Sequence, residues 1–307
     1  MSRRGGIRAA VLIVLAAALV AVPATATAAP AKPAASGISV DVDAPKRVQL
    51  LSKLQVSGTV ANQAPNETVK ITVTASEREV LKDEVSPGAD GRFSMPLVVD
   101  ACCGYVVTAS AGGATASDGF NVSVPRKLGK GKLTRLFNTS LQSLGFHTGT
   151  KGSRVTSGTR LAIKAFRKTN GMPRNERYSR EIFRLLLQDR GAFPVQHPKD
   201  GRHVEVDISR QVMALIEGDR PVHTFHVATG TGGTPTVRGS FRFYRKEPGY
   251  NSKRMYYSVY FIGGYATHGY SSVPNRRASH GCVRNPIQFS RFIYNWIDIG
   301  MPIHVYG

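Results

Sequence analysis

The sequence predicts three folded regions in series: an N-terminal β-sandwich, a small three-helix domain and a C-terminal mostly-β domain. Three observations predict this. Residues 38–124 alternate apolar and polar residues in short runs separated by Gly, Asn, Asp and Pro, as strands with one buried face do. Residues 128–190 switch to apolar spacings of three and four, the period of helices. From about residue 202 the period returns to two. A chain of 307 residues is long enough to bury two or three cores.

The first element lies outside those regions. "MSRRGGIRAA" is a basic stretch, "AVLIVLAAALVAV" a short apolar run, and "PATATAAPA" offers small-residue cleavage points after Ala26 or Ala28. This is the layout of a secretory signal peptide, assigned to residues 1–28. The apolar run is too short for a comfortable transmembrane helix, and no later segment is predicted to span a bilayer. The mature protein is therefore expected outside the cytoplasm, secreted, periplasmic or wall-associated, with no integral membrane segment. Residues 29–37, "APAKPAASG", read as a Pro/Ala linker.

Residues 38–125 contain "LQVSGTV", "ETVKITVTAS", "GRFSMPLVV", "YVVTASAGG" and "GFNVSVP", short strands whose spacing predicts an antiparallel sandwich. The pattern resembles immunoglobulin-like modules of bacterial surfaces. It holds no catalytic constellation, which leaves a role as spacer or support. "ACCGY" places Cys102 beside Cys103; adjacent cysteines either close a vicinal disulfide or stay reduced as small buried residues. Pairing them leaves Cys282 as the free thiol of a three-cysteine exported chain.

Residues 126–192 contain "LTRLFNTSLQSLGF", "SGTRLAIKAFRKTNG" and "YSREIFRLLLQDRG", each with helical spacing and each followed by a glycine, Gly145, Gly171 or Gly191, as a C-terminal stop. Leu133, Phe137, Leu141 and Leu144 form one predicted stripe, and Leu161, Ala165 and Phe166 another. The order of these helices resembles the peptidoglycan-binding domain 1 family over about sixty residues. This region also concentrates the charge: sixteen Lys/Arg against three Asp/Glu, where residues 38–125 have seven against ten. Such a surface attracts polyanions, and for an exported protein the expected partners are anionic wall polymers rather than nucleic acid.

Residues 200–307 begin with "HVEVDISRQVMALIEGDRPVHTFHVATG", which reads as two strands about an "EGDR" turn, with Val204, Val206 and Ile208 alternating, then Val212, Ala214 and Ile216. "GSFRFYRKE", "MYYSVYFIGG" and "PIHVYG" supply further strands. "NPIQFSRFIYNWIDIG" predicts an amphipathic helix with Phe289, Phe292, Ile293 and Trp296 on one face.

The chemistry lies in "YATHGYSSVPNRRASHGCVRN", which holds His268, Gly269, Ser279, His280, Gly281, Cys282 and Arg284. A thiol becomes a nucleophile when an imidazole takes its proton, and a third group must orient that imidazole. His280 and Cys282 are two apart and share a face if the chain is a strand there, but Gly281 between them also permits a turn. His268 requires the chain to fold back through "SSVPNRRA". The residue types alone yield a cysteine nucleophile with two candidate bases. A zinc site of His268, His280 and Cys282 is the competing reading, but it lacks a fourth ligand.

"GTPTVRGSF", "FIGGYATHG" and "SHGCVR" occur in an order and spacing that resemble the L,D-transpeptidase (YkuD) catalytic domain over residues 202–307. The resemblance implies that Cys282 is acylated, that His268 is its base, and that the carbonyl of Gly269 orients the ring. His280 is implied to line the site. Backbone N–H groups at Gly281 and Cys282 are implied to form an oxyanion hole, and Arg284, Ser279, Gly281 and Tyr265 to contact substrate. Asn285 stands where many members carry a hydrophobic residue. The implied reaction transfers the acyl group of a peptidoglycan stem tetrapeptide, with loss of D-Ala, to an amine of another stem, without metal or cofactor. An L,D-carboxypeptidase using water and a non-catalytic wall-binding protein are the alternatives.

Overall fold

The structure, a computed structural model, describes residues 38–43, 46–62 and 66–307. The expected signal peptide (1–28) and linker (29–37) lie outside the described residues.

Among the described residues, eight strands come first: β1 (Ile38–Asp43), β2 (Arg47–Gln49), β3 (Lys53–Val60), β4 (Val69–Ala75), β5 (Arg78–Val85), β6 (Arg92–Val98), β7 (Gly104–Ala111) and β8 (Ala114–Ser123). They form a three-stranded sheet, β1-β3-β6, and a five-stranded sheet, β2-β8-β7-β4-β5. In β4 and β6 buried residues alternate with more exposed ones, so the period of two is realised as one face in and one out. β5, "REVLKDEV", has no such alternation. It is largely exposed at the sheet edge, where charged side chains discourage pairing with another chain. Its weak apolar pattern hid it from the sequence reading.

Three helices follow: α1 (Lys132–Ser143), α2 (Ser157–Thr169) and α3 (Arg180–Leu187). Thr156 caps α2, accepting from Thr159 N at 3.1 Å while Thr159 Oγ1 accepts from Thr156 N at 3.2 Å. This capping box satisfies two groups that a helix start leaves open. Ser179 caps α3 by accepting from Ile182 N at 3.3 Å. Phe137, Phe166 and Phe183 are fully buried, and a single apolar core runs without interruption from Val48 to Leu187. The buried face of α2 is Ala162, Ile163, Ala165 and Phe166. Leu161, expected in that stripe, packs instead against the C-terminal core. The helix serves two cores, so its apolar surface is wider than one stripe.

The C-terminal region contains β9 (Arg202–Asp207), β10 (Val212–Glu217), β11 (Arg220–His226), β12 (Gly239–Arg242), β13 (Arg245–Tyr250), β14 (Tyr256–Ile262), β15 (Tyr265–Tyr270), β16 (Val283–Pro286), α4 (Ile287–Trp296) and β17 (Pro302–Tyr306). One sheet has the order β11-β10-β9-β17-β12 and the other β13-β14-β15-β16. The stretch expected as two strands is three, because the chain turns at Ser209–Gln211 as well as at Gly218–Asp219. β10 is buried on both faces: Met213 and Leu215 join the main C-terminal core, while Val212, Ala214 and Ile216 are covered by Phe193. In α4, Phe289 and Ile293 are buried, but Phe292, predicted on the same face, is 37 % exposed.

The helices are joined to this sheet through backbone and side chain. Phe146, just after α1, bridges Thr224 of β11. Lys168 of α2 is buried, and its Nζ donates to the carbonyls of Val227 at 3.0 Å and Gln211 at 3.2 Å.

Candidate active site

β15 and β16 run parallel, with Thr267 beside Val283 and His268 beside Arg284. Thr267 and Val283 are buried, with Val283 in the main core and Thr267 Oγ1 3.5 Å from Met213 Sδ. By the two-residue period, Ala266, His268 and Arg284 therefore lie on the opposite face. Cys282 immediately precedes β16 and packs on that face against Met255, Tyr260 and Ala266. The structure thus brings His268 and Cys282 to one face of two adjoining strands, although the long loop 271–282 separates them in sequence.

His268 is buried, and its Nδ1 lies 2.9 Å from the carbonyl oxygen of Gly269. That acceptor places the proton on Nδ1 and leaves Nε2 as the basic nitrogen. Burial holds the imidazole at about 4; the Gly269 hydrogen bond opposes this and the Arg284 charge adds to it. Burial likewise pushes the Cys282 thiol up, against smaller downward effects from a backbone hydrogen bond at Ala266, then Lys253 and Arg284. At neutral pH the resting pair is therefore neutral thiol and neutral imidazole.

Gly281 adopts φ 111°, so the chain turns before β16 and His280 does not continue a strand into Cys282. A Cβ at Gly281 would sit 2.5 Å from Cε1 of Tyr265, so the Tyr265 ring walls this turn and excludes any larger residue. His280 is exposed on the loop. Ser279 is buried; its Oγ donates to Cys282 O and accepts from Gly281 N at 3.2 Å. The Gly281 N–H expected in an oxyanion hole is thus engaged within the turn. Arg284 stacks over Tyr270 with Cζ 4.1 Å from the ring centroid, and its buried Nε has no partner. Gly269 is required by packing, since a Cβ there would meet Ser290 Oγ of α4 at 2.0 Å. Asn285 is also buried; it donates to Thr267 Oγ1 at 3.1 Å and accepts from Ser290 Oγ at 2.8 Å. A polar side chain is accommodated at that position because both its ends are satisfied.

Several residues that hold this loop carried no chemical signature in the sequence. Thr229 accepts through its carbonyl from Ala278 N at 2.8 Å and Ser279 N at 3.0 Å, and Gln211 in turn accepts from Thr229 N at 2.9 Å. Met255 Sδ lies 4.0 Å from Cys282 Sγ. Their only prior signal was proximity to the quoted motifs: Thr236 of "GTPTVRG" accepts from Gly230 N at 2.8 Å, and Gly230 bridges Ser279.

A thiol leading into one strand and a buried imidazole on the parallel neighbouring strand are the groups that nucleophilic acyl chemistry uses. Residues 201–305 match the YkuD family, the L,D-transpeptidase catalytic domain. Among solved structures, the chain is similar to residues 123–326 of the L,D-transpeptidase from Xylanimonas cellulosilytica DSM 15894, at 27 % identity and TM-score 0.54, covering 59 % of this chain and 97 % of that one. An L,D-transpeptidase (Yku) from Stackebrandtia nassauensis is 25 % identical with TM-score 0.38, over 60 % of this chain and 98 % of that one. No curated protein matches the chain.

Proposed function

We propose that this protein is an exported cysteine L,D-transpeptidase. It acylates Cys282 with a peptidoglycan stem tetrapeptide, releases D-Ala, and transfers the acyl group to an amine of a second stem. The observation that carries this reading is the buried His268, with Nδ1 on the Gly269 carbonyl, on the strand beside the one that Cys282 leads into. The family match at residues 201–305 supplies the substrate class.

The chemistry follows from the neutral resting pair. As Cys282 Sγ attacks the amide carbon before the terminal D-Ala, its proton passes to His268 Nε2. The imidazolium so formed is held by the Gly269 carbonyl and then gives the proton to the departing D-Ala nitrogen. A thioester remains on Cys282. The acceptor amine attacks it, His268 takes the amine's proton, and the thiol is restored with a new amide between the stems. No step needs a metal or redox cofactor. Arg284, Ser279, Gly281, Tyr265 and His280 are assigned roles of substrate contact and loop geometry.

The decisive experiment is intact-mass analysis of the protein with a stem tetrapeptide, with and without acceptor amine. Acyl-enzyme, then cross-linked product only with the amine, is the expected result; stem tripeptide released at the same rate without the amine would mean a carboxypeptidase. Cys282→Ser should form no thioester while keeping the fold. A thioester that persisted would refute the nucleophile.

Residues 126–192 are proposed to tether the enzyme to anionic wall polymer. The motivation is the basic excess of that stretch, although Arg167 and Lys168 are buried and do not contribute to its surface. Exposed attraction of this kind is screened within about 3 Å at molar salt. The whole chain should sediment with sacculi at low salt and be released at high salt or after polymer removal. Binding indifferent to both would point to a neutral-glycan groove instead.

A further inference from the structure

Away from Cys282, the C-terminal region contains a second group of chemistry-bearing side chains. His197 and Asp200 lie on a turn between α3 and β9, closed by Asp200 N donating to His197 O at 3.2 Å. His304 lies on β17. We propose that His197, Asp200 and His304 bind a divalent transition-metal ion of the zinc class, which staples this turn to the last strand.

Four observations support it. One nitrogen from each histidine and a carboxylate oxygen of Asp200 all lie within 4.8 Å of one another. Ligand atoms on a four-coordinate zinc are about 3.4 Å apart, given bond lengths near 2.1 Å, so the set lies near that scale, with the 2.8 Å His304–Asp200 pair opening and the wider separations closing. Second, His304 Nε2 is buried and already faces the Asp200 carboxylate, with Oδ2 2.8 Å away. A cation admitted between the nitrogen lone pair and the carboxylate would be held by both. Third, His304 Nδ1 is 2.8 Å from Ser240 Oγ. When that nitrogen carries the proton and donates to the hydroxyl, Nε2 is left with its lone pair, as outer partners of metal-bound histidines arrange. Fourth, Glu205, itself buried, accepts from His197 N at 2.8 Å and anchors the turn to β9.

Two imidazoles and one carboxylate suit zinc and its neighbours rather than magnesium or calcium, which prefer oxygen donors throughout. A cavity of about 300–1,000 Å³ is the usual scale of a small-ligand site, and the one beside His304 is about 730 Å³, also lined by Asp200, Ser240, Lys199 and Arg242. The fourth coordination position opens into it. The two cations there favour water or a small anion as fourth ligand. The rings of His197 and His304 are stacked, with centroids 3.7 Å apart and planes at 11°. A metal lies in the plane of each imidazole it binds, so coordination turns His197 about its side-chain torsions. Its half-buried position on the turn permits this. β17 and β9 belong to the sheet that does not contain His268, so the ion acts as a clamp and takes no part in acyl transfer.

The test is titration of the purified full-length mature chain, stripped with chelator, with Co2+ followed by visible absorption and with Zn2+ by calorimetry. The expected result is saturation at one equivalent, a d–d band without a thiolate charge-transfer band, and a rise in Tm with metal. His304→Ala and Asp200→Asn should each weaken binding at least tenfold and abolish the Tm rise, and Cys282→Ser should bind as the unaltered chain does. Asp200 is exposed, so Asp200→Asn tests the site without risking the fold. No saturable binding by the unaltered chain, undiminished binding in Asp200→Asn, or loss of binding in Cys282→Ser would overturn the proposal; the last would place the metal at the thiol.

Discussion

Arg174 and Asn275 hold one another through their backbones: Arg174 Nη1 donates to Asn275 O at 3.0 Å, and Asn275 Nδ2 donates to Arg174 O. Arg174 Nη2 also reaches Ser209 O at 2.9 Å. One arginine after α2 thus ties the loop that leads to Cys282 down onto the turn between β9 and β10. Each such bond is worth a net ~1 kcal/mol, somewhat more for a charged donor. Arg174→Ala should slow acylation up to about tenfold with the fold intact. Asn275→Ala should do the same, and because each side chain bonds the other's backbone carbonyl, each variant loses a separate bond and the double variant should be slower than either alone. A double variant no slower than the single ones, read from the rate of acyl-enzyme formation, would mean that the two bonds do not hold the loop separately.

His268 sets the acid limit of the reaction. Its imidazole is held at about 4 by burial, so it remains an unprotonated base down to that pH. Acylation should fall only as pH drops through about 4, not near the ordinary histidine value of ~6.5. His268→Ala should lower acylation by roughly 10²–10⁴-fold. Thiol alkylation should keep its pH profile in that variant, because burial rather than an imidazolium governs Cys282 at rest. An upward move of the alkylation profile would instead reveal a resting thiolate–imidazolium pair.

Gly281 should tolerate no side chain. Its φ of 111° and the Tyr265 ring 2.5 Å from an added Cβ both oppose one. Gly281→Ala should cost roughly 1–3 kcal/mol and reduce acylation at least tenfold, since the next residue is Cys282. Gly232→Ala, whose added methyl meets nothing within 4 Å, is the control. Equal Tm and equal rates for the two variants would remove the argument.

Lys168 should make stability depend on alkaline pH. Burial, then Arg174 and Lys164, lower it to about 7, against ~10.4 unfolded. Below pH 7 both states hold the proton and burial of the charge carries its full cost. Between 7 and 10.4 the unfolded chain keeps a proton that the native chain has lost, so stability rises with pH, by up to ~1.4 kcal/mol per unit. Denaturant unfolding of the natural chain and Lys168→Met across this range should show the difference growing in favour of the natural chain. The opposing contribution of Cys282 is common to both and cancels. A flat difference would place the ammonium near its ordinary value.

Much of this molecule was legible in one dimension. The period-two runs that became β4 and β6, the helical spacings of α1 to α3, and the motif residues His268, Gly269 and Cys282 needed no coordinates. These are local signals: burial on one face imposes a period, and acyl chemistry demands particular side chains. β5 was missed because an edge strand buries little, and the turn at Ser209–Gln211 because the apolar spacing of two runs in phase across it from Val204 to Ile216.

The sequence by itself determined which residue types were present and offered two histidines to one thiol. Tertiary structure set their positions: the positive φ of Gly281 leaves His280 exposed on its loop, and the parallel pairing of β15 with β16 carries His268 to the face of Cys282. It also decided that Lys168 enters the C-terminal sheet rather than joining a basic surface, and that His197, Asp200 and His304 converge across more than a hundred residues. Contacts between distant segments depend on which faces the whole chain buries together. No local period or spacing records them.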